Sequence, residues 1–327
     1  MICTFRPGPL AAIAVGIAAA VSSGCQDTVA APGIGASLQT TEALAVLPPD
    51  ADVIGMMDLG AARESDALQA VTGGAGLEML SPGGSAEFDA FVRQTGFDPG
   101  RDLDRVYVAA PAPGREEGRA AFVGYGRFSR ERIERYLATQ TEHPMEATDV
   151  DGVPAYFTTD DEGHRGGFAL PNDRMVLAGD EATLRQMLAR MGTTGTGPEA
   201  QIQTLLDRVA YPDGAWFVAR DLPDGPVGPD AENPAGLAAS LSDGVVVSMD
   251  FGRDGVPVRA FVQTPRPDEL ADVLRGGVSA ARMGAKDEPA FLSALDGVEV
   301  ETAAGGVAVE AFLPTALLAE MHAEQGE

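Results

Sequence analysis

Lysine is almost missing from this 327-residue chain. Lys286 is the only one, and with 22 Arg it faces 49 Asp and Glu, for a formal net charge of −26. Nucleic-acid binding needs clustered Lys and Arg against phosphate, so the sign of the charge excludes a general nucleic-acid binder. Cysteine is nearly as scarce: Cys3 and Cys25 cannot build a disulfide framework or an all-cysteine metal cluster. The three histidines, His143, His164 and His322, lie far apart, and none has a second at helical spacing to form a zinc pair. There is no Gly-x-Ser-x-Gly elbow and no Ser-x-x-Lys pair, which disfavours the known hydrolase classes. Long apolar runs are missing too, with one exception near the start. What is there is an ordinary globular balance, 45% hydrophobic and 22% charged, enough for a real core.

The exception runs from Leu10 to Val21. Arg6 is the only charge before it, and the small residues Ser22, Ser23 and Gly24 follow it. A positive region, an apolar segment and a small-residue site make a secretory leader, and the segment is shorter than the roughly 20 residues a bilayer core requires. Val21-Ser22-Ser23-Gly24-Cys25 resembles the lipobox of bacterial lipoproteins, with Ser22 where Leu is commonest. The resemblance implies cleavage after Gly24 and acylation at Cys25, the sole cysteine of the mature chain. Several acyl chains give stable anchoring where one does not, at about 0.8 kcal/mol per buried methylene. Gln26 in place of Asp after the cysteine implies, by the sorting convention of that family, the outer membrane of a two-membrane cell.

Residues 1–24 are therefore expected to be a signal peptide, and 25–42 the anchored cysteine with a small, polar, Pro- and Gly-containing spacer. The body's acid excess would repel anionic headgroups, so attachment to a membrane should come from the anchor. The pairing of many acids with Arg resembles proteins of salt-adapted bacteria, in which screening at about 1 M salt, over roughly 3 Å, quiets acid repulsion.

The rest of the chain reads as one unit written twice. Pro49-Asp50-Ala51-Asp52-Val53-Ile54-Gly55-Met56-Met57-Asp58-Leu59 aligns without a gap with Pro212-Asp213-Gly214-Ala215-Trp216-Phe217-Val218-Ala219-Arg220-Asp221-Leu222. Strands around Val106–Val108 and Val245–Val247 follow, each with a hairpin partner, the second closed by the turn former Asp254-Gly255. Ile133, Tyr136 and Leu137, then Leu270, Val273 and Leu274, mark a helix in each half, the second ending at Gly276-Gly277. Ser129 caps the first and Pro267 opens the second. A second hairpin in each half, one turning at Pro171-Asn172-Asp173 and one at Gly305-Gly306, leads to a closing helix, the first capped by Asp180.

The predicted fold is α+β: two tandem pseudo-repeats of antiparallel sheet, residues 43–192 and 199–322, each covered on one face by helices. The stretch Gly192–Pro198 reads as the linker between them, since it lacks the Gly-Lys-Ser/Thr ending of a phosphate loop. The pattern resembles exported bacterial proteins with tandem α+β repeats that open on a Pro-Asp/Ala strand, a group without an assigned activity.

Acids are the only candidates for chemistry. Asp149-x-Asp151-Gly152 and Asp160-Asp161-Glu162 offer oxygens, but neither fits a calcium loop, and solvated turns explain them. Asp58 and Asp221 hold equivalent places at the end of each unit's first strand, where a strand-ending or capping role is the simpler account. No metal and no cofactor is expected. The reading is a non-enzymatic, lipid-anchored cell-envelope protein with an interaction or scaffold role toward an envelope partner. The alternatives are a small-molecule or lipid carrier with a cavity between the repeats, and an enzyme of unfamiliar type using paired acids.

Overall fold

A computed structural model describes residues 37–71, 86–111, 120–140, 145–160, 163–193, 197–220, 238, 240–285 and 288–325. Gly24, Cys25 and Asp221 lie outside these, as do His143, Asp161 and Glu162.

In chain order the elements are α1 (Leu38–Val46), β1 (Val53–Asp58), α2 (Leu59–Glu64), α3 (Asp66–Val71), α4 (Ala86–Thr95), α5 (Pro99–Asp102), β2 (Leu103–Ala110) and β3 (Ala121–Gly126). Then come α6 (Arg130–Leu137), β4 (Glu146–Val150), β5 (Val153–Thr159), β6 (Arg165–Asn172), β7 (Met175–Asp180), α7 (Glu181–Arg190) and α8 (Ala200–Leu206). The last are β8 (Ala215–Arg220), β9 (Gly244–Met249), β10 (Gly255–Gln263), α9 (Pro267–Gly284), α10 (Pro289–Asp296), β11 (Glu299–Ala303), β12 (Gly306–Pro314) and α11 (Thr315–Gln325). Among the described residues no helix is long and apolar enough to cross a membrane.

The chain divides into two compact units, Ala36–Arg63 with Ala75–Ala200, and Glu64–Gly74 with Gln201–Glu327. The second thus takes α3 from the first part of the sequence. Both are mixed α+β, and every strand pairing within them is antiparallel. The first unit orders its strands β1-β2-β3-β7-β6-β5-β4. The second orders them β8-β9-β10-β12-β11.

The one-face cover expected from the sequence is corrected by the structure. Successive strand residues point to opposite faces, and in β5 three in a row, Ala155, Tyr156 and Phe157, are buried. Tyr156 packs with Ile133 of α6 and Leu170 of β6, while Arg185 of α7 stacks over the Phe157 ring at 5.4 Å. Helices therefore cover both faces of this sheet. In the second unit, β9 buries Val245, Val246, Val247 and Ser248 in succession, the mark of a strand covered on both sides. Leu205 of α8 lies beside Gly244 and Arg208 stacks over Phe261 at 4.6 Å. On the other face α9 buries Leu270, Leu274 and Val278 beside β11 and β12, where Val300 and Val309 are buried.

The helix caps fall where the sequence puts them. Ser129 accepts from the Arg132 N–H, Asp180 from the Thr183 N–H, and Pro267 stands in the first turn of α9. Helix α9 does not stop at Gly276-Gly277 but runs on to Gly284, with Gly277 buried in the same stripe as Leu274 and Val278. That burial offsets the roughly 1 kcal/mol that a helical glycine costs.

Two turns also differ from expectation. Asp254-Gly255 supplies no left-handed pair; Gly255 is already the first residue of β10. The tight turn of that chemistry is Asp151-Gly152, with φ of 52° and 85°, joining β4 to β5 across the closing pair Val150 and Val153. Positive φ at both central residues is what a two-residue hairpin with the right twist needs. Strand β6 likewise runs through Pro171 and Asn172, and the Asn172 side chain accepts from the Arg174 N–H at 2.8 Å to make the turn at 173–174.

Gly152 has nothing within 4 Å of the place a Cβ would occupy, so replacing it tests backbone strain alone. Gly152→Ala is expected to lower unfolding free energy by about 1 kcal/mol, read from the shift of a urea midpoint at constant slope.

Candidate functional site

Of the two strand-ending acids, Asp58 lies among the described residues, and its surroundings define a polar network. It ends β1 and stands in register opposite Arg105 of β2, which puts both side chains on one face of the ladder. Its Oδ2 accepts from Arg105 Nη2 at 2.6 Å and Nε at 3.1 Å, and its Oδ1 accepts from the Ala61 N–H at 2.8 Å at the start of α2. The pair is mostly withdrawn from water, at 12% and 18% side-chain exposure for Arg105 and Asp58. Both carboxylate oxygens are therefore taken by structural donors. The acid ends β1 and caps α2.

Arg105 carries the network onward. Its Nη1 donates to Ser37 Oγ at 3.3 Å; Ser37 caps α1 and its hydroxyl meets that of Thr40 at 2.8 Å. Thr40 Oγ1 lies 2.9 Å from the Tyr107 hydroxyl, and both residues are buried. The Tyr107 ring meets Tyr125 edge to face, centroids 6.0 Å apart. The Tyr125 hydroxyl donates to Glu42 Oε2 at 3.1 Å and to the Gln39 carbonyl at 3.3 Å. Four polar groups of the first helix region, on Ser37, Gln39, Thr40 and Glu42, are thus stitched to β2 and β3.

A smaller arrangement of the same kind sits on the opposite face. Tyr156 of β5 donates to Glu134 Oε1 of α6 at 3.0 Å, and Arg130 Nε donates to the same oxygen at 2.7 Å. Around it Tyr156 packs on Phe168 at 5.3 Å, with Phe97 and Phe128 in the surrounding cluster. The Arg130 hydrogen bond is the main influence holding the Glu134 carboxyl below its ordinary range. Burial first, then the bond to Glu134, pushes the Tyr156 phenol up to about 12. Burial, then the Glu42 charge and hydrogen bond, pushes Tyr125 higher still.

The acidic runs do turn chemistry. Asp149 Oδ1 accepts from the Gly152 N–H at 2.9 Å, and Asp160 Oδ1 from the His164 N–H at 2.8 Å. Among the described residues no three His, Cys, Asp or Glu side chains come together as a metal-holding group. Met56 and Trp216 are buried core, as their strands imply. What sequence reasoning missed is Arg105, Ser37, Thr40, Tyr107 and Glu42. No local pattern marks them, because their meeting depends on strand register and on where α1 lands.

Removing one partner of a mostly buried ion pair strands the other. Arg105→Ala is expected to cost about 3 kcal/mol in chemical denaturation, and Tyr107→Phe about 1 kcal/mol. A second prediction concerns pH. A phenol whose folded value is raised contributes stability that is fully present below about 10, the ordinary tyrosine value. That contribution is lost as pH rises through the folded value, about 12 for Tyr156. Tyrosinate absorbance should show Tyr125 and Tyr156 un-ionised at pH 11 in the folded protein and ionised in urea, and single Tyr→Phe variants assign the two.

No family model matches this chain, and no curated protein does. Among solved structures it is similar to crystal forms III, IV and I of TP0453, at 11%, 10% and 11% identity. The TM-scores are 0.48, 0.49 and 0.47, over 85%, 85% and 86% of this chain and 96%, 95% and 96% of those chains.

Proposed function

We propose that this is a non-enzymatic, lipid-anchored protein of the bacterial cell envelope, whose duplicated body has an interaction or scaffold role. The observation that carries the reading is the junction Val21-Ser22-Ser23-Gly24-Cys25 behind a short apolar leader, with Gln26 directing the mature protein to the outer membrane. Acyl chains on Cys25 supply the membrane affinity, and the segment before Ser37 lets the body stand off the lipid, because residues 37–42, expected as the end of the spacer, open α1 and bond to β2 and β3.

Duplication of the body is supported by the order of its strands. β1, β2 and β3 correspond to β8, β9 and β10, and in each unit the third of these pairs with the strand that precedes the closing helix, β7 or β12. β6 and β11 then match as the next neighbours outward, and the hairpin partner β5-β4 is an addition to the first unit. The role without chemistry is supported by Asp58, whose two oxygens accept three structural hydrogen bonds.

Intact mass of the protein from its native host tests the anchor: the expected species begins at Cys25 and carries diacylglycerol and an amide-linked acyl chain. Cys25→Ser should move the protein from the detergent phase to the aqueous phase in phase partitioning. A bare Cys25 in native material overturns the anchor.

A further inference from the structure

We propose that the open edge of β11 is a strand-addition site for an extended, basic segment of a partner protein, with Arg275 as a displaceable guard. The inference deepens the interaction role proposed above and is independent of the anchor.

The hairpin between β11 and β12 closes on the pair Ala303 and Gly306 across a two-residue turn, with Gly305 at φ 82°. In an antiparallel ladder the closing pair exchanges both backbone bonds, and pairs do so alternately from there. Ala303, Glu301 and Glu299 thus turn their backbone toward β12, while Val300 and Thr302 turn theirs to the outside. Among the described residues no strand lies beyond β11. An outside contact confirms the direction: Arg275 Nη2 of α9 donates to the Val300 carbonyl at 3.2 Å. Among the described residues, the Val300 N–H and both backbone groups of Thr302 have no protein partner. Arg275 also holds Asp272 through Nη1 at 3.2 Å, so it has a seat on its own helix when it leaves the strand.

The side chains say what fits. Glu299 and Glu301 share one face of β11, and among the described residues neither meets a basic side chain. Glu310, directly across from Glu299, is held by Arg259. A second copy added edge to edge at β11 would set carboxylates against carboxylates, which is unfavourable. A strand with Lys or Arg two residues apart and a small or apolar residue between would pair with Glu299 and Glu301 and lay its middle residue beside Val300. The edge at β4 is different: Glu146 is met by Arg165 at 2.8 Å and Asp149 by its own turn. Unmet charge and unmet backbone coincide at β11.

The test uses the whole chain with a blocked peptide of alternating Lys and Val, and a control with the same residues in two blocks, read by fluorescence anisotropy. Strand addition predicts that the alternating peptide binds at least about tenfold more tightly than the blocked order. Arg275→Ala should tighten binding severalfold. Glu299→Gln with Glu301→Gln should weaken it about tenfold, and Thr302→Pro, which removes an outward donor without breaking the ladder to β12, should abolish it. Should Thr302→Pro fail to fold, N-methylation of alternate peptide amides makes the same cut from the other side. Equal binding of the two Lys peptides, or indifference to both backbone changes, overturns the proposal, because charge alone then accounts for the attraction. Such a failure leaves the lipid anchor standing, and a bare Cys25 leaves the edge standing.

Discussion

The constraint on which the structure rests is that strands such as β5 and β9 are apolar on both faces. A strand residue points opposite to its neighbours, so Ala155, Tyr156 and Phe157 in sequence need cover above and below, as do Val245 to Ser248. Each large apolar side chain withdrawn from water contributes about 1.5–3 kcal/mol, so leaving one face bare is not an option for a chain of this composition. Placing α6 and α7 on opposite faces of β5, β6 and β7 follows from that.

Covering a face brings hydroxyls inside, and these set where the helices land. Tyr107 is fully buried, and a buried hydroxyl without a partner costs about 1–3 kcal/mol. Thr40 meets it, Ser37 meets Arg105, and Glu42 meets Tyr125, so α1 is positioned by directional bonds as well as by Ala43 and Val46 in its apolar face. On the other face Tyr156 and Glu134 do the same for α6. Apolar packing alone tolerates sliding; a phenol aimed at a carboxylate does not.

The parts legible in the sequence were those decided locally. Caps at Ser129 and Asp180 and the first-turn Pro267 depend on a few consecutive residues, and they stand as read. The antiparallel α+β class follows from short apolar strands with turn formers between them. Where a local signal competed with packing, packing won: Gly276-Gly277 sits inside α9 because the stripe through Leu274 and Val278 continues. Asp-Gly at 151–152 and at 254–255 carries the same local chemistry, yet only the first forms a two-residue turn, closed by Val150 and Val153, while Gly255 already belongs to β10. The expectation of one covered face fails because an unbroken apolar run such as Val245-Val246-Val247 signals burial on both sides as well as a strand. Asp58 was visible as a residue and invisible as a network, since nothing near it in sequence names Arg105.

Helix α3 has a consequence for how the protein is made. The segment Glu64–Gly74 belongs to the unit otherwise built from Gln201 onward, with α3 against α11 and β10. During synthesis that helix leaves the ribosome long before its seat exists, and it must wait for the last residues to emerge. Proteolysis at the Gly- and Thr-rich stretch 192–198 would therefore release no self-sufficient carboxy-terminal domain, because one of its pieces would stay with the other fragment. Such long-range closure slows folding, and it ties completion of the second unit to the emergence of the last residues of the chain.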